Sequence, residues 1–250
     1  MALGPRNPPL CILITGATGF IGGTVLHELL TSSLPGLESK DLTFTVLIRD
    51  ASRAAAYTTT WGTRVHPVVY GGLDDTKTTT AVASQHDLVI NMTLAFHAHS
   101  AQALLDGLAL RKAETGRQVY MIQLSGASNL SDQPVTGACI EDREFDDLKD
   151  DVYEYERMRN ALRPYHQRTT ELGVIDRSLE LGITTLVIMP PLVFGKGKGL
   201  FNRVSVQIPI YVEAAIQSGQ AVVIGDGSGK LDHVHVEDLA ALYAIVVNEY

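Results

Sequence analysis

The sequence predicts an α/β fold, a doubly wound parallel sheet, and three observations carry that prediction. Short apolar runs alternate with segments of helical spacing along most of the chain. The first run, Cys11-Ile12-Leu13-Ile14, passes directly into the glycine-rich turn Thr15-Gly16-Ala17-Thr18-Gly19-Phe20-Ile21-Gly22-Gly23, and apolar residues then recur at Ile21, Val25 and Leu29. The 250 residues suffice for one large domain of this class, or for one domain with a small appendage.

The elements follow in order. After the first strand, turn and helix, residues 44–48 (FTVLI) read as a second strand and 65–70 as a third. Residues 87–91 read as a fourth strand, 119–124 as a fifth and 185–189 as a sixth. Between them, Leu104, Leu105 and Leu108 share one helical face that stops at Gly116. Leu172, Ile175 and Leu179 share another that stops at Gly182. Strands joined by helices lie parallel, with both faces of the sheet covered. Ligands of such sheets sit at the carboxyl ends of the strands. Residues 32–41 form a longer connection than a βα unit needs. Residues 128–151 are acidic and irregular, either a solvated loop or a lid over a substrate. From Gly195 the chain reads as a glycine loop (195–199), a helix within 204–218, a strand and turn over 221–227, and a helix starting near Glu237.

Composition narrows the function classes. Hydrophobic content of 45% and charged content of 19% describe a soluble globular protein. A net charge of −8 argues against general binding of nucleic acid or anionic membrane, while leaving room for a local basic pocket. No apolar run has the length of a membrane span. Residues 1–9 lack a signal-peptide layout, so the cytoplasm is the expected location. Cys11 and Cys139 are far apart and read as inert thiols in a reducing compartment. The pairs His97/His99 and His233/His235 lack companion ligands at metal spacing, so no metal site is expected. Arg157, Arg159, Arg163 and Arg168 read as solvated ion pairs of small worth, or as contacts to an acidic substrate. The apolar stretch 206–216 lines a cleft or forms the seam of a homodimer.

The glycine turn is where the chemistry starts. Its backbone lets a pyrophosphate approach closely, and the helix behind it offers unpaired N–H groups. The spacing Gly16-x-x-Gly19-x-x-Gly22 in the context Thr-Gly-Ala-Thr-Gly-Phe-Ile-Gly resembles the cofactor signature of the short-chain dehydrogenase/reductase superfamily, in its extended or atypical, epimerase/dehydratase-like branch. Further matches fall in order: Val89-Ile90-Asn91, Ser125-Gly126-Ala127, Met189-Pro190-Pro191-Leu192-Val193-Phe194-Gly195, and His233-Val234-His235-Val236-Glu237-Asp238-Leu239-Ala240. The resemblance covers nearly the whole chain. It implies a dinucleotide-binding Rossmann domain over residues 8–195, with 196–250 as a small, incomplete substrate-binding region that returns to it.

The cofactor residues implied are Gly16, Thr18, Gly19, Phe20, Ile21, Gly22, Arg49, Leu73, Asn91 and Pro190. At the end of the second strand an acidic residue serves a ribose hydroxyl and an arginine accommodates a 2′-phosphate. This chain has Arg49-Asp50 there. Arg49 favours NADP, because a guanidinium pairs with phosphate in two places; Asp50 keeps NAD possible. Gly72 stands where the family often has an aspartate near the adenine, and Asp74 is the candidate to compensate.

Redox members of the family use a serine or threonine with Tyr-x-x-x-Lys. The lysine charge favours ionisation of the phenol, and its ammonium holds the nicotinamide ribose. No Tyr-x-x-x-Lys occurs in this chain. Counting back from Pro190 places Tyr165 in the tyrosine position and Thr169 in that of the lysine, on one helical face with Leu172, in a helix that Pro164 would open. Ser125 is the expected third member, with Ser128 in reserve. Tyr153 and Tyr155 come too early for the register. Three readings stay open. Another cation substitutes (Arg168, Lys196 or Lys198), or the reaction is an isomerisation or elimination that needs no acidic phenol, or catalysis is lost and the chain is a dinucleotide-binding regulator. The first gives an NADP(H)-dependent oxidoreductase of a small carbonyl or alcohol compound.

Overall fold

The structure, a computed structural model, describes residues 10–38, 42–131, 141, 143–223 and 225–250. Cys139, residues 1–9 and most of the acidic connection at 132–142 lie outside the described residues. The chain builds β1 (Leu10–Thr15), α1 (Phe20–Thr31), α2 (Pro35–Glu38), β2 (Leu42–Ile48), α3 (Ala54–Trp61), β3 (Val65–Val69), α4 (Thr76–Ala83), β4 (Leu88–Asn91), α5 (Ala98–Thr115) and β5 (Tyr120–Leu124). It continues with α6 (Val152–Leu162), α7 (His166–Leu181), β6 (Thr184–Ile188), β7 (Leu192–Phe194), α8 (Gln207–Ser218), β8 (His233–His235) and α9 (Val236–Asn248).

Six strands pair in the order β3-β2-β1-β4-β5-β6, all parallel, which is the Rossmann arrangement. β1 is central: Ile14 faces Val46 on one side and Ile90 on the other. Side chains alternate across the sheet. Ile12 and Ile14 therefore enter the core under α1 and α9, with Val25, Leu29, Phe44 and Tyr243. Leu13 enters the opposite core under α5 and α7, with Leu104, Leu105, Leu108 and Val174. The strand order reverses between β1 and β4, so their carboxyl ends open the crevice in which such sheets bind ligands.

One expectation for the helices and tail is filled in and two are corrected. A short helix, α2, occupies part of the 32–41 connection. On α7 the buried apolar residues are Leu172 and Val174, and Leu179 is 68% exposed, because the helix turns its other flank to the sheet. Residues 221–223 form no strand, and Ile224 lies outside the described residues. Among the described residues no helix is long and apolar enough to cross a membrane.

β7 and β8 form a separate parallel pair. Between them the glycine loop is closed by a bridge between Lys196 and Val204, and it lies on α1. The Lys198 N–H donates to Thr24 Oγ1 at 3.2 Å, and a Cβ on Gly199 would stand 2.8 Å from the Cα of Gly23. Only glycines allow that approach.

Candidate functional site

The glycine turn lies at the carboxyl end of β1. Gly16 has φ +73°, and a Cβ there would stand 2.3 Å from the carbonyl oxygen of Met92. A Cβ on Gly22 would meet the Gly16 carbonyl oxygen at 2.4 Å, so α1 can start this close to the turn only with glycine. The Gly19 N–H closes the turn onto the Gly16 carbonyl at 2.8 Å. No side chain caps α1 and no acidic residue stands in its first turn. The N–H groups at Phe20 and Ile21 are thus at the disposal of an anion, favoured by the helix dipole. Thr18 borders the turn, and its carbonyl receives the Asn202 N–H at 3.4 Å. This cradle fits a dinucleotide's diphosphate.

At the end of β2, Asp50 is already employed. Its carboxylate accepts from Ser52 N (2.9 Å) and Ser52 Oγ (2.6 Å) and pairs with Arg53 at 3.4 Å. The hydrogen bonds from Ser52 are the main cause holding its carboxyl below the usual carboxylate range. Arg49 is exposed, its Cδ lying 3.8 Å from where a side chain on Gly72 would begin. Arg53 lies over the Phe201 ring, 5.0 Å from its centroid. Leu73 is half-buried beside Gly72. Asp74 pairs with His97 (3.3 Å), while Asp75 caps α4 through Thr78 N and also accepts from Gly71 N. Both carboxylates thus have partners of their own in this structure.

The Asn91 side chain has a structural task. It is buried, Oδ1 accepts from Thr15 Oγ1 (2.6 Å) and Thr93 Oγ1 (2.8 Å), and Nδ2 donates to Gln123 (2.9 Å). This ladder locks the ends of β1, β4 and β5 together. Pro190 is buried as well, and its carbonyl accepts from Ala127 N at 3.0 Å, which fixes the end of β6 beside that of β5.

Tyr165 does not lie on α7. It is the extended residue before the helix (φ −130°, ψ 122°), and its N–H is held by Asn160 Oδ1 at 3.1 Å. Pro164 disfavours a helical residue before it, so α6 ends and α7 begins only at His166. Tyr165 and Thr169 therefore share no helical face. Thr169 is exposed and its hydroxyl donates to Asn160 Oδ1 at 3.1 Å. The Tyr165 hydroxyl lies 3.2 Å from Ser128 Oγ, the reserve serine, which also accepts from Gln167 Nε2 at 3.1 Å. Of the substitute cations, Lys198 is bound to Glu237 (2.5 Å), whereas Arg168 places its guanidinium carbon 5.7 Å from the Tyr165 ring centroid.

Ser125 belongs to a layer beneath. Its Oγ accepts from Asn129 Nδ2 (3.2 Å), which also donates to Glu171 Oε2 (2.5 Å). Glu156, Glu171, Arg159 and Arg168 are all buried here. Arg168 donates twice to the Asn129 carbonyl, at 2.7 and 3.0 Å, and Arg159 holds the carbonyls of Leu130 and Ser131. Two of the four arginines that read as solvated pairs thus pin the segment after β5 from inside. Burial, and then the neighbouring Glu171, push the Glu156 carboxyl up to about 8. Burial likewise raises Glu171, against the hydrogen bonds it accepts. Sequence reasoning missed Asn129, Glu156 and Glu171. The pairings Glu156/Arg159 and Arg168/Glu171, three apart on helices, were the available signal. Tyr153 donates to Asp176 and Tyr155 meets Phe145 edge to face, so both are occupied elsewhere. His97 caps α5 and His235 caps α9.

Comparison with known proteins bears on the whole arrangement. The sequence pattern of the NAD dependent epimerase/dehydratase family matches residues 12–250. Oxidase ucsJ of Acremonium sp is 27% identical over 248 residues, covering 94% of this chain and 65% of that protein; the chain thus spans about two thirds of this curated relative's length. Among solved structures, DesIV, a dTDP-glucose 4,6-dehydratase of Streptomyces venezuelae with NAD bound, superimposes with a TM-score of 0.65 at 17% identity, over 96% of this chain and 72% of its own. UDP-glucose 4-epimerase of Thermotoga maritima gives 0.60 at 17%, over 95% and 73%. Vestitone reductase of alfalfa gives 0.55 at 17%, over 96% and 73%.

Proposed function

The chain belongs to the NAD dependent epimerase/dehydratase family, and from that premise we propose that it works as an NADP(H)-dependent oxidoreductase on a small carbonyl or alcohol compound. The observation that carries the cofactor choice is at the end of β2. Asp50, the one acidic residue placed to receive a ribose hydroxyl, is tied into the turn by Ser52 and Arg53. Arg49 is left exposed at that strand end, with the bare Gly72 beside it. A carboxylate so engaged is a poor acceptor for the hydroxyl of NAD, and a guanidinium is a good partner for the phosphate of NADP.

Hydride transfer is the chemistry the nicotinamide supplies when bound. The protein's part starts at the turn, where the Phe20 and Ile21 amides hold the diphosphate. Tyr165, hydrogen-bonded to Ser128, delivers or receives the proton at the substrate oxygen, and Ser128 orients that oxygen with it. Ser125 is assigned from beneath, holding the β5 end in register through Asn129. Thr169 has no direct part, since its hydroxyl is spent on Asn160.

Titration of NADPH and NADH against the intact chain and Arg49→Ala tests the cofactor reading. A charge-assisted pair is worth about 1.5–3 kcal/mol, so NADPH affinity is expected to fall about 10- to 100-fold with NADH nearly unchanged. Equal loss for both, or none, overturns the phosphate-reading role.

One observation favours a second reading, a dinucleotide-binding regulator without turnover. The Arg168 guanidinium lies over the Tyr165 ring, and its N–H groups are aimed at the Asn129 and Arg163 carbonyls. NADPH consumption across a panel of carbonyl compounds separates the two. Under the oxidoreductase reading, Tyr165→Phe lowers turnover about 10²- to 10⁴-fold with NADPH affinity intact. Tight NADPH binding with no turnover of any carbonyl supports the regulator instead.

A further inference from the structure

Beyond the end of β6 the chain opens a cavity. Pro190 is fastened to Ala127, and Leu192 begins β7 two residues later. There a cleft of about 300 Å³ lies between β7, β8 and α8, lined by Leu192, Phe194, Ile208, Leu231, Asp232 and His233. Four of these six are apolar, the charged one is a carboxylate, and none is lysine or arginine. The His233 ring rests against Phe194 with centroids 5.4 Å apart, so part of the wall is aromatic. The basic residues of this part of the chain are turned to other tasks. Lys198 is paired with Glu237, and Arg203 Nε donates to the Gly197 carbonyl. Pro209 in the first turn of α8 removes one N–H that an anion would use. Lys196 and Lys230 stand near the cleft in sequence, beside Gly195 and Leu231, but neither lines it.

A nucleotide-linked sugar carries a charged diphosphate, which needs guanidinium, ammonium or clustered N–H partners. This cleft offers it an acid and hydrocarbon. Its volume is at the lower end of small-molecule sites, enough for one or two rings. We propose that the cleft binds the carbonyl substrate and that this substrate is an uncharged, mainly apolar compound with an aromatic or alicyclic body, not a nucleotide sugar. The assignment rests on the preceding reading for its carbonyl, and on the lining residues alone for the character of the body.

Calorimetric binding of 2-naphthaldehyde and of UDP-glucose, each with and without saturating NADP+, tests it. Three surface variants, Ile208→Asp, Leu231→Asp and Ile216→Asp, accompany the parent chain. Ile208 and Leu231 line the cleft and are 42% and 76% exposed, so a charge there leaves the core untouched. Ile216 is an exposed α8 residue outside it. The aldehyde is expected to bind the parent and to lose about tenfold or more in Ile208→Asp and Leu231→Asp, with Ile216→Asp like the parent and UDP-glucose silent. UDP-glucose binding that Lys230→Ala abolishes overturns the proposal. So does equal loss of aldehyde binding in Ile216→Asp, which marks general adsorption to an apolar helix. NADPH affinity measured on the same samples separates the two readings. Aldehyde binding without NADPH binding sinks the cofactor assignment and keeps the cleft, and the reverse result sinks the cleft alone.

Discussion

Glu156 and Glu171 are buried together below Ser125, and two ionised carboxylates there would be costly to keep from water. The arrangement is tolerable with one proton held between them and Arg168 nearby. Glu156 Oε1 has no hydrogen-bond partner among the described residues, consistent with the carboxyl that holds the proton. The groups that face Glu156 are Glu171, Arg168 and Asn129. Its carboxyl sits at about 8 in the folded chain against an ordinary 4.5. The native state therefore holds the proton more tightly than the unfolded state. The resulting stability is complete below pH 4.5 and is lost as pH rises toward 8, at up to about 1.4 kcal/mol per unit. Urea unfolding between pH 5 and 8 is expected to show this decline in the parent chain and a flatter profile in Glu156→Gln. Parallel profiles would mean that the pair does not hold its proton. Little of this was legible in the sequence, because a Glu on a helix near arginines reads the same whether it faces water or a sheet. Tyr165 was legible as a candidate, but which serine meets it was not. Ser125 and the reserve Ser128 are three residues apart, and the short helical turn at Ala127–Asn129 brings Ser128 to the Tyr165 hydroxyl.

At the scale of elements, legibility followed periodicity. The strands buried on both faces showed as unbroken apolar runs, and their observed bounds differ from the expected ones by a residue or two. Gly116 and Gly182 stop their helices in the left-handed conformation, as their positions suggested. Errors gathered where local chemistry competes with periodicity. Pro164 has the residue type that opens helices, yet the chain spends it and Tyr165 on the break between α6 and α7. Asp50 and Asp75 had sequence signals for what they do. Asp50-x-Ser52 is an Asx turn and Asp75-x-x-Thr78 a helix cap, and both aspartates are consumed by their own backbones. The Asx spacing alone thus argues against Asp50 as a ribose acceptor. Residues 221–223 have strand-forming side chains but no neighbouring strand, and propensity alone does not make a sheet.

Across the whole molecule the division of the chain at residue 195 meets a physical limit in α9. This helix lies far along the sequence from β1 yet packs on α1, and Leu239, Tyr243 and Val247 share one core with Ile12, Val25 and Phe44. Val236 is buried at its start. Four side chains of this size contribute about 1.5–3 kcal/mol each, against a total stability of about 5–15 kcal/mol for an ordinary domain. Residues 10–195 without α9 would keep α1 on the sheet but expose the part of the core that α9 covers. A chain ended after Asp232 is therefore expected to lose the cooperative thermal transition of the full 250 residues, followed by circular dichroism. Ile208→Asp on exposed α8 leaves that transition in place. A truncated chain that melts at the parent's temperature would show that the sheet and its earlier helices close a core by themselves, and that α9 serves the site and not the fold.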